Sequence, residues 1–181
     1  MAYFTSSDIA AIAMCAALWS VLSAYIAPIF WTATHMPFFC DMLGVILLIL
    51  VMWWVKKFGA ITITGIIATI ITLMLNPYAT QFFGFTAASV VFDILTRLIG
   101  NQKSPEKSVL RLISVFLTSI ASTAVAGVII GNLFMNPNFL ATMFGGVAFF
   151  VVLHVAGGAI GGTIGLVLIK ALSTRISLQK V

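Results

Sequence analysis

The chain has 181 residues, 62% of them hydrophobic and 7% charged, with a formal net charge of +5. A soluble domain carries about 25% charged residues, so the composition excludes a water-soluble globular enzyme and predicts an all-α integral membrane protein. A span takes about 20 apolar residues, so six spans use about 120 and leave only connecting loops, with no room for a soluble catalytic or nucleotide-hydrolysing domain.

The first predicted span runs over 8–31. The opening MAYFTSSDIA lacks a basic region and a small-residue cleavage site, so this stretch is expected to be a retained helix. Ser6 or Ser7 is placed to cap it. Ala13 and Ala17 form an A-x-x-x-A pair, with Ala16, Ser20 and Ala24 on a neighbouring strip. Such small-residue faces let membrane helices approach closely, either inside the bundle or against a partner. The second span, 36–55, carries Asp41 and ends on Trp53, Trp54, Lys56 and Lys57, aromatics beside positive charge as at a membrane interface. The third runs over 59–75. The fourth, 80–98, carries Asp93 four residues before Arg97. That is the spacing of a local helical salt bridge; docking of a cytoplasmic partner is the other reading. The fifth span is 108–134 and the sixth 141–171.

The turns TATHMP (32–37), NPYATQ (76–81) and MNPN (135–138) join the spans in pairs, punctuated by proline and asparagine. The Asn76-Pro77 and Asn136-Pro137 dipeptides read as turn residues. The nine Lys and Arg are Lys56, Lys57, Arg97, Lys103, Lys107, Arg111, Lys170, Arg175 and Lys180, with Glu106 among them. With both termini cytoplasmic, all nine fall on the inner side, as the positive-inside rule requires. The positive charge is then an orientation signal. It favours the bilayer and its anionic head groups as partner, and not nucleic acid. The expectation is one six-helix transmembrane domain over 1–181, multi-pass in the cell membrane. Cys15 and Cys40 have neither metal nor redox spacing, and no cofactor or metal site is predicted.

The stretch LHVAGGAIGGTIGLVLIKAL (153–172) holds five glycines. Gly157, Gly161 and Gly165 lie four apart, and so do Gly158 and Gly162, so each set makes a flat strip down a helix and predicts close helix packing. Gly157 to Thr163 matches part of a phosphate loop, but no lysine follows the second glycine and no strand precedes the first, so that reading is rejected. An enzyme reading also exists. A histidine ahead of glycines on a sixth helix resembles rhomboid intramembrane serine proteases, with Ser89 on the fourth helix as nucleophile and His154 as base. The G-x-S-G motif of that family is missing around Ser89. Depth also opposes it. His154 lies 16 residues before Lys170, about 24 Å along a helix, whereas Ser89 lies 8 before Arg97, about 12 Å.

Asp41 lies 15 residues before Lys56, about 22 Å along its helix, nearly the level of His154. An ionisable group inside a span is costly and faces an interior cavity or a partner. Two at one depth predict either a wall of an outward-facing pocket or a structural Asp–His bond. The outer turns add His35, Asn76, Tyr78, Gln81, Asn136 and Asn138, an uncharged rim suited to a small neutral or weakly charged solute, or simply loop residues.

The D-I-A-x-x-A opening at Asp8 to Ala13, the Ala13-x-x-x-Ala17 pair, and VKKFGAITITGIIATIITLML (55–75) with its basic loop, glycine and small residues resemble the substrate-binding S components of energy-coupling-factor (ECF) vitamin transporters. The length and the six-span, both-ends-in plan agree with that family over the whole chain. The resemblance implies high-affinity binding of a vitamin or precursor from outside, without catalysis. It implies association with a membrane T component and two cytoplasmic ATPases, and toppling of the subunit in the bilayer for delivery. Ala13 and Ala17 would then face the T component. Trp31, His35, Asp41, Asn76, Tyr78, Gln81, Asn132 and His154 would contact the solute. Trp31 and Tyr78 suit stacking on a flat ring, which points to a thiamine-like or pyrimidine-like compound. The Met-His arm of the metal-transporting members is absent, which speaks against a metal cargo.

Overall fold

The computed structural model describes residues 3–100 and 108–178. Lys103, Glu106, Lys107 and Lys180 lie outside the described residues. Among the described residues there is no strand. The helices are α1 (Ser6–Thr34), α2 (Phe38–Val55), α3 (Ala60–Leu75), α4 (Phe83–Leu98), α5 (Val109–Phe134), a short α6 (Pro137–Phe144) and α7 (Val147–Leu178). Among the described residues α1, α2, α5 and α7 are long and apolar enough to cross a membrane. α3 and α4 have 16 residues each, about 24 Å at 1.5 Å per residue.

Going round the bundle, each helix packs on the next in the order α1, α3, α4, α5, α7, α2, and α2 closes on α1. The core between α1, α2, α3 and α4 is filled by Trp19, Leu48, Ile49, Met52, Ile61 and Phe92. Large apolar side chains such as Met14, Ile29, Ile70, Met74 and Val167 are exposed around the outside, the surface expected of helices that face lipid.

The two glycine strips of α7 face two different helices. Alanine methyls at Gly157 and Gly161 would strike the backbones of Phe38 and Met42, and one at Gly165 would meet Ile49, all on α2. Methyls at Gly158 and Gly162 would strike Thr123 and Ser119 of α5. α7 is thus wedged between α2 and α5 at backbone distance, which only glycine permits.

Several boundaries differ from the sequence reading, each for a local reason. The cap of α1 is Thr5, not Ser6 or Ser7, because Thr5 and Asp8 form a reciprocal capping box. The last span does not start at 141. Gly145 (φ 66°) and Gly146 (φ 120°) break the chain there, splitting off α6. α1 also contains a π turn at Leu22–Ile26, directly before Pro28. Proline lacks an N–H and clashes with the carbonyl four residues back; a widened turn lets the helix pass through it.

The two ends of the bundle have opposite characters. One end holds Lys56, Lys57, Arg97, Arg111, Lys170 and Arg175. There Asp8 pairs with Lys57 at 2.6 Å. Asp93, expected in a helix-local pair with Arg97, reaches across to cap α3. Its Oδ2 accepts from Gly59 N (2.9 Å), Thr62 N (3.1 Å) and Thr62 Oγ1 (2.9 Å), so two backbone N–H groups at the start of α3 that have no partner within the helix are satisfied, along with one hydroxyl. The other end carries the turns at 35–37, 76–82 and 135–136, with no charged group among them.

Candidate functional site

At the turn end a cavity of about 500 Å³ opens between the helices. Pro37, Asn76, Gln81 and Met135 line it at the turns, and Trp19, Asp41 and His154 line it within the helices. α1 contributes Trp19, Ser23, Ala27 and Trp31, each four residues from the next. In an uninterrupted α-helix Trp31 would stand about 120° round the axis from Trp19; the π turn absorbs one extra residue and cuts the offset to about 20°. Pro28 and its π turn therefore put all four side chains on the cavity wall. A second π turn, Ile130–Phe134, ends α5 beside the same cavity, which Ile130 lines.

The wall is aromatic. Trp19 stacks on Phe85 with ring centroids 3.8 Å apart and an 11° interplanar angle, and meets Phe82 edge-on at 5.1 Å. Gly44 leaves room for this stack: a methyl there would lie 2.7 Å from Phe85 and 3.1 Å from Trp19 Nε1. Phe150 meets the ring of His154 edge-on at 4.7 Å.

His154 is pinned from three sides. Its ring rests on Gly127 of α5, where a methyl would lie 3.1 Å from three of its carbons. Its Nδ1 stands 2.7 Å from Asp41 Oδ2. Gly157, one turn on, lets α7 close onto α2 at Phe38 and Asp41. The structure thus brings together the two ionisable groups that helical rise places at one level.

Among the described residues, Trp19 Nε1, Ser23 Oγ and Nε2 of His154 are buried without a hydrogen-bond partner, while His154 Nδ1 and Asp41 Oδ2 have each other at 2.7 Å. Each such group costs about 1–3 kcal/mol when left unpaired, and the cost falls away if a solute or water takes the bond. All three residues line the cavity. Elsewhere in the bundle buried hydroxyls find a carbonyl, on their own helix for Thr64 (Ala60 O) and Ser119 (Val115 O) and on a neighbouring segment for Thr69 (Phe82 O).

Of the residues singled out from sequence, Trp31, Asp41, Asn76, Gln81 and His154 line the cavity. His35, Tyr78 and Asn132 do not. His35 caps α1 in the left-handed region and is exposed. Tyr78 is 92% exposed at the tip of its turn. Asn132 turns outward and donates to Val128 O of its own helix. Ala13 and Ala17 are exposed on the outer face of α1. Trp19 and Ser23 were not singled out; their four-residue spacing with Ala27 and Trp31 is the signal that marks them. Ser89 is buried in the seam between α3 and α4, where a methyl on Gly65 would collide with it, and its hydroxyl donates to Thr86 O at 2.7 Å. The cavity wall holds His154 but not Ser89.

Comparison with protein-family models, with curated proteins and with solved structures finds no match for this chain.

Proposed function

We propose that the protein is the membrane-embedded substrate-binding subunit of an ECF-type transporter, taking up a vitamin or vitamin precursor. The observation that carries this reading is the cavity at the turn end, walled by aromatic rings and lined by buried polar groups without partners. Its volume falls in the range of about 300–1,000 Å³ usual for small-molecule sites. In this reading the bundle crosses the cell membrane six times. The end bearing the described Lys and Arg residues, together with both termini, is cytoplasmic, so the cavity opens to the outside. α3 and α4 span as shorter helices through local thinning of the bilayer.

The phosphate-loop match in the glycine stretch fails at its lysine, so energy comes from partners: a membrane T component and two cytoplasmic ATPases. The exposure of Ala13 and Ala17 supports a docking face there for the T component. The proposed solute contacts are Trp31, Asp41, Asn76, Gln81 and His154. Stacking surfaces around an acid–imidazole pair suit a pyrimidine-like or thiamine-like solute. The test is native mass spectrometry of the full chain purified in mild detergent. A retained small heterocycle, released on denaturation, is the expected result; a chain that retains nothing and binds no small solute would refute the reading.

A further inference from the structure

We propose that Trp19, Ser23, Asp41 and His154 form one polar subsite that takes the hydrogen-bonding edge of an uncharged or cationic nitrogen heterocycle and turns anionic analogues away. This rests on reading the cavity as a solute site.

The four groups converge from three helices. Trp19 Nε1 sits over Gly44, 3.1 Å from where a Cβ would stand, so the indole N–H reaches α2 one turn from Asp41. Toward the turn end, four residues or about 6 Å carry α1 from Trp19 to Ser23, and three residues or about 4.5 Å carry α2 from Gly44 to Asp41. Ser23 and Asp41 therefore share a level, and His154 joins them through its 2.7 Å contact. All are withdrawn from solvent: Trp19 is 1% exposed, Ser23 2% and His154 3%, and the Asp41 side chain 11%.

Their chemistry is mixed by design of the side chains. An indole N–H only donates, a carboxylate only accepts, and a hydroxyl or neutral imidazole does both. Donors and acceptors set side by side match the edge of a heterocycle that carries a ring nitrogen next to an amino or amide group. Trp31, Phe82 and Phe85 line the same cavity and give it the aromatic surface such a ring packs against. Charge completes the selection. Among the described residues no Lys or Arg lines the cavity, and Asp41 is its one acidic side chain. A phosphate or carboxylate brought in would lie desolvated beside that carboxylate, and the one group there able to carry positive charge, His154, is already held against Asp41 at 2.7 Å, so the added anion is heavily penalised. A neutral or cationic ligand meets no such barrier.

The test uses the full chain in nanodiscs and two matched pairs of probes, nicotinamide against nicotinate and thiamine against thiamine monophosphate, with binding read by calorimetry. The expected result is that at least one uncharged or cationic probe binds at least tenfold more tightly than its anionic counterpart. Asp41→Asn should collapse that ratio. Ser23→Ala and Trp19→Phe should each weaken the bound probe about five- to tenfold, with gel filtration and melting curves showing that the variants are folded. An anionic probe that binds as tightly as its partner overturns the subsite, as does a ratio unchanged by Asp41→Asn. If no probe binds, the solute retained through purification decides. A neutral or cationic heterocycle supports the subsite, whereas one bearing phosphate or carboxylate overturns it while the uptake reading stands. A chain that binds no probe and retains nothing overturns both.

Discussion

Gly161→Ala probes the seam that holds the site. The added methyl would meet Met42 O and lie 2.8 Å from Met42 Cα and 3.0 Å from its carbonyl carbon. These are backbone atoms and cannot rotate away. α2 would have to retreat by roughly 1 Å for Met42 O, the nearest of the three, to reach the 3.4 Å of ordinary contact. Overpacking against backbone falls in the upper part of the usual range, about 2–3 kcal/mol, and alanine returns about 1 kcal/mol of helix propensity, leaving a net loss of about 1–2 kcal/mol. Gly165→Ala is the control. Its methyl meets only the side chain of Ile49, the nearest atom being the terminal Cδ1, so adjustment is cheap and the propensity gain roughly cancels it. Thermal unfolding in detergent should therefore show Gly161→Ala lower by about 2–8 °C, at about 2–4 °C per kcal/mol for a chain of this size, with Gly165→Ala near wild type. Asp41 neighbours Met42, so the same retreat should draw its carboxylate from His154 and weaken solute retention. Equal melting temperatures for the two variants would refute the seam argument.

Other predictions follow from the same structure. Gly65→Ala should destabilise by about 1–3 kcal/mol through collision with Ser89, and the double variant with Ser89→Gly should recover most of that; a double variant no better than the single would show the clash is relieved elsewhere. Asp93→Ala strips the cap from α3 and should cost about 3 kcal/mol, while Lys57→Met removes a side chain that is 31% exposed and leaves Asp8 its bond from Thr5 N, and should change stability by less than about 1 kcal/mol; comparable losses in melting experiments would reverse the ranking. In a Cys15→Ala, Cys40→Ala background, Tyr78→Cys in intact cells should react with a membrane-impermeant maleimide, and Arg97→Cys only after lysis. The opposite labelling pattern would invert the proposed orientation.

Much of this architecture is written in features that survive without tertiary context. Apolar length and the grouping of basic residues mark the helices, and the four-residue spacing of the α7 glycines gives its two strips. Counting helical rise from Lys56 and Lys170 sets Asp41 and His154 at one depth. What escapes is direction. In a helix apolar on every side the four-residue spacing of Trp19, Ser23, Ala27 and Trp31 marks a strip but not whether that strip turns to neighbours or to lipid, so the spacing alone does not put Trp19 and Ser23 on the wall. The π turn before Pro28 also breaks the 100° bookkeeping by which Trp31 would be placed. Polar residues near turns carry the same ambiguity: His35, Tyr78 and Asn132 sit near the cavity in sequence, but local backbone geometry aims them outward. Asp93 shows the limit of local spacing, since its carboxylate serves a helix more than thirty residues earlier.

The glycine strips also decide which parts of the bundle can breathe. α2, α5 and α7 form a slab joined backbone to backbone, and spreading it would open contacts along most of its length. The eight residues Ala27–Thr34 at the end of α1 are different. They hang beyond a π turn, with Pro28, Ile29 and Thr32 exposed on their surface. The cavity is thus bounded by a glycine-sutured slab on one side and, along Ala27–Thr34, by side-chain contacts such as Phe30 stacked on Phe39 at 4.8 Å on the other.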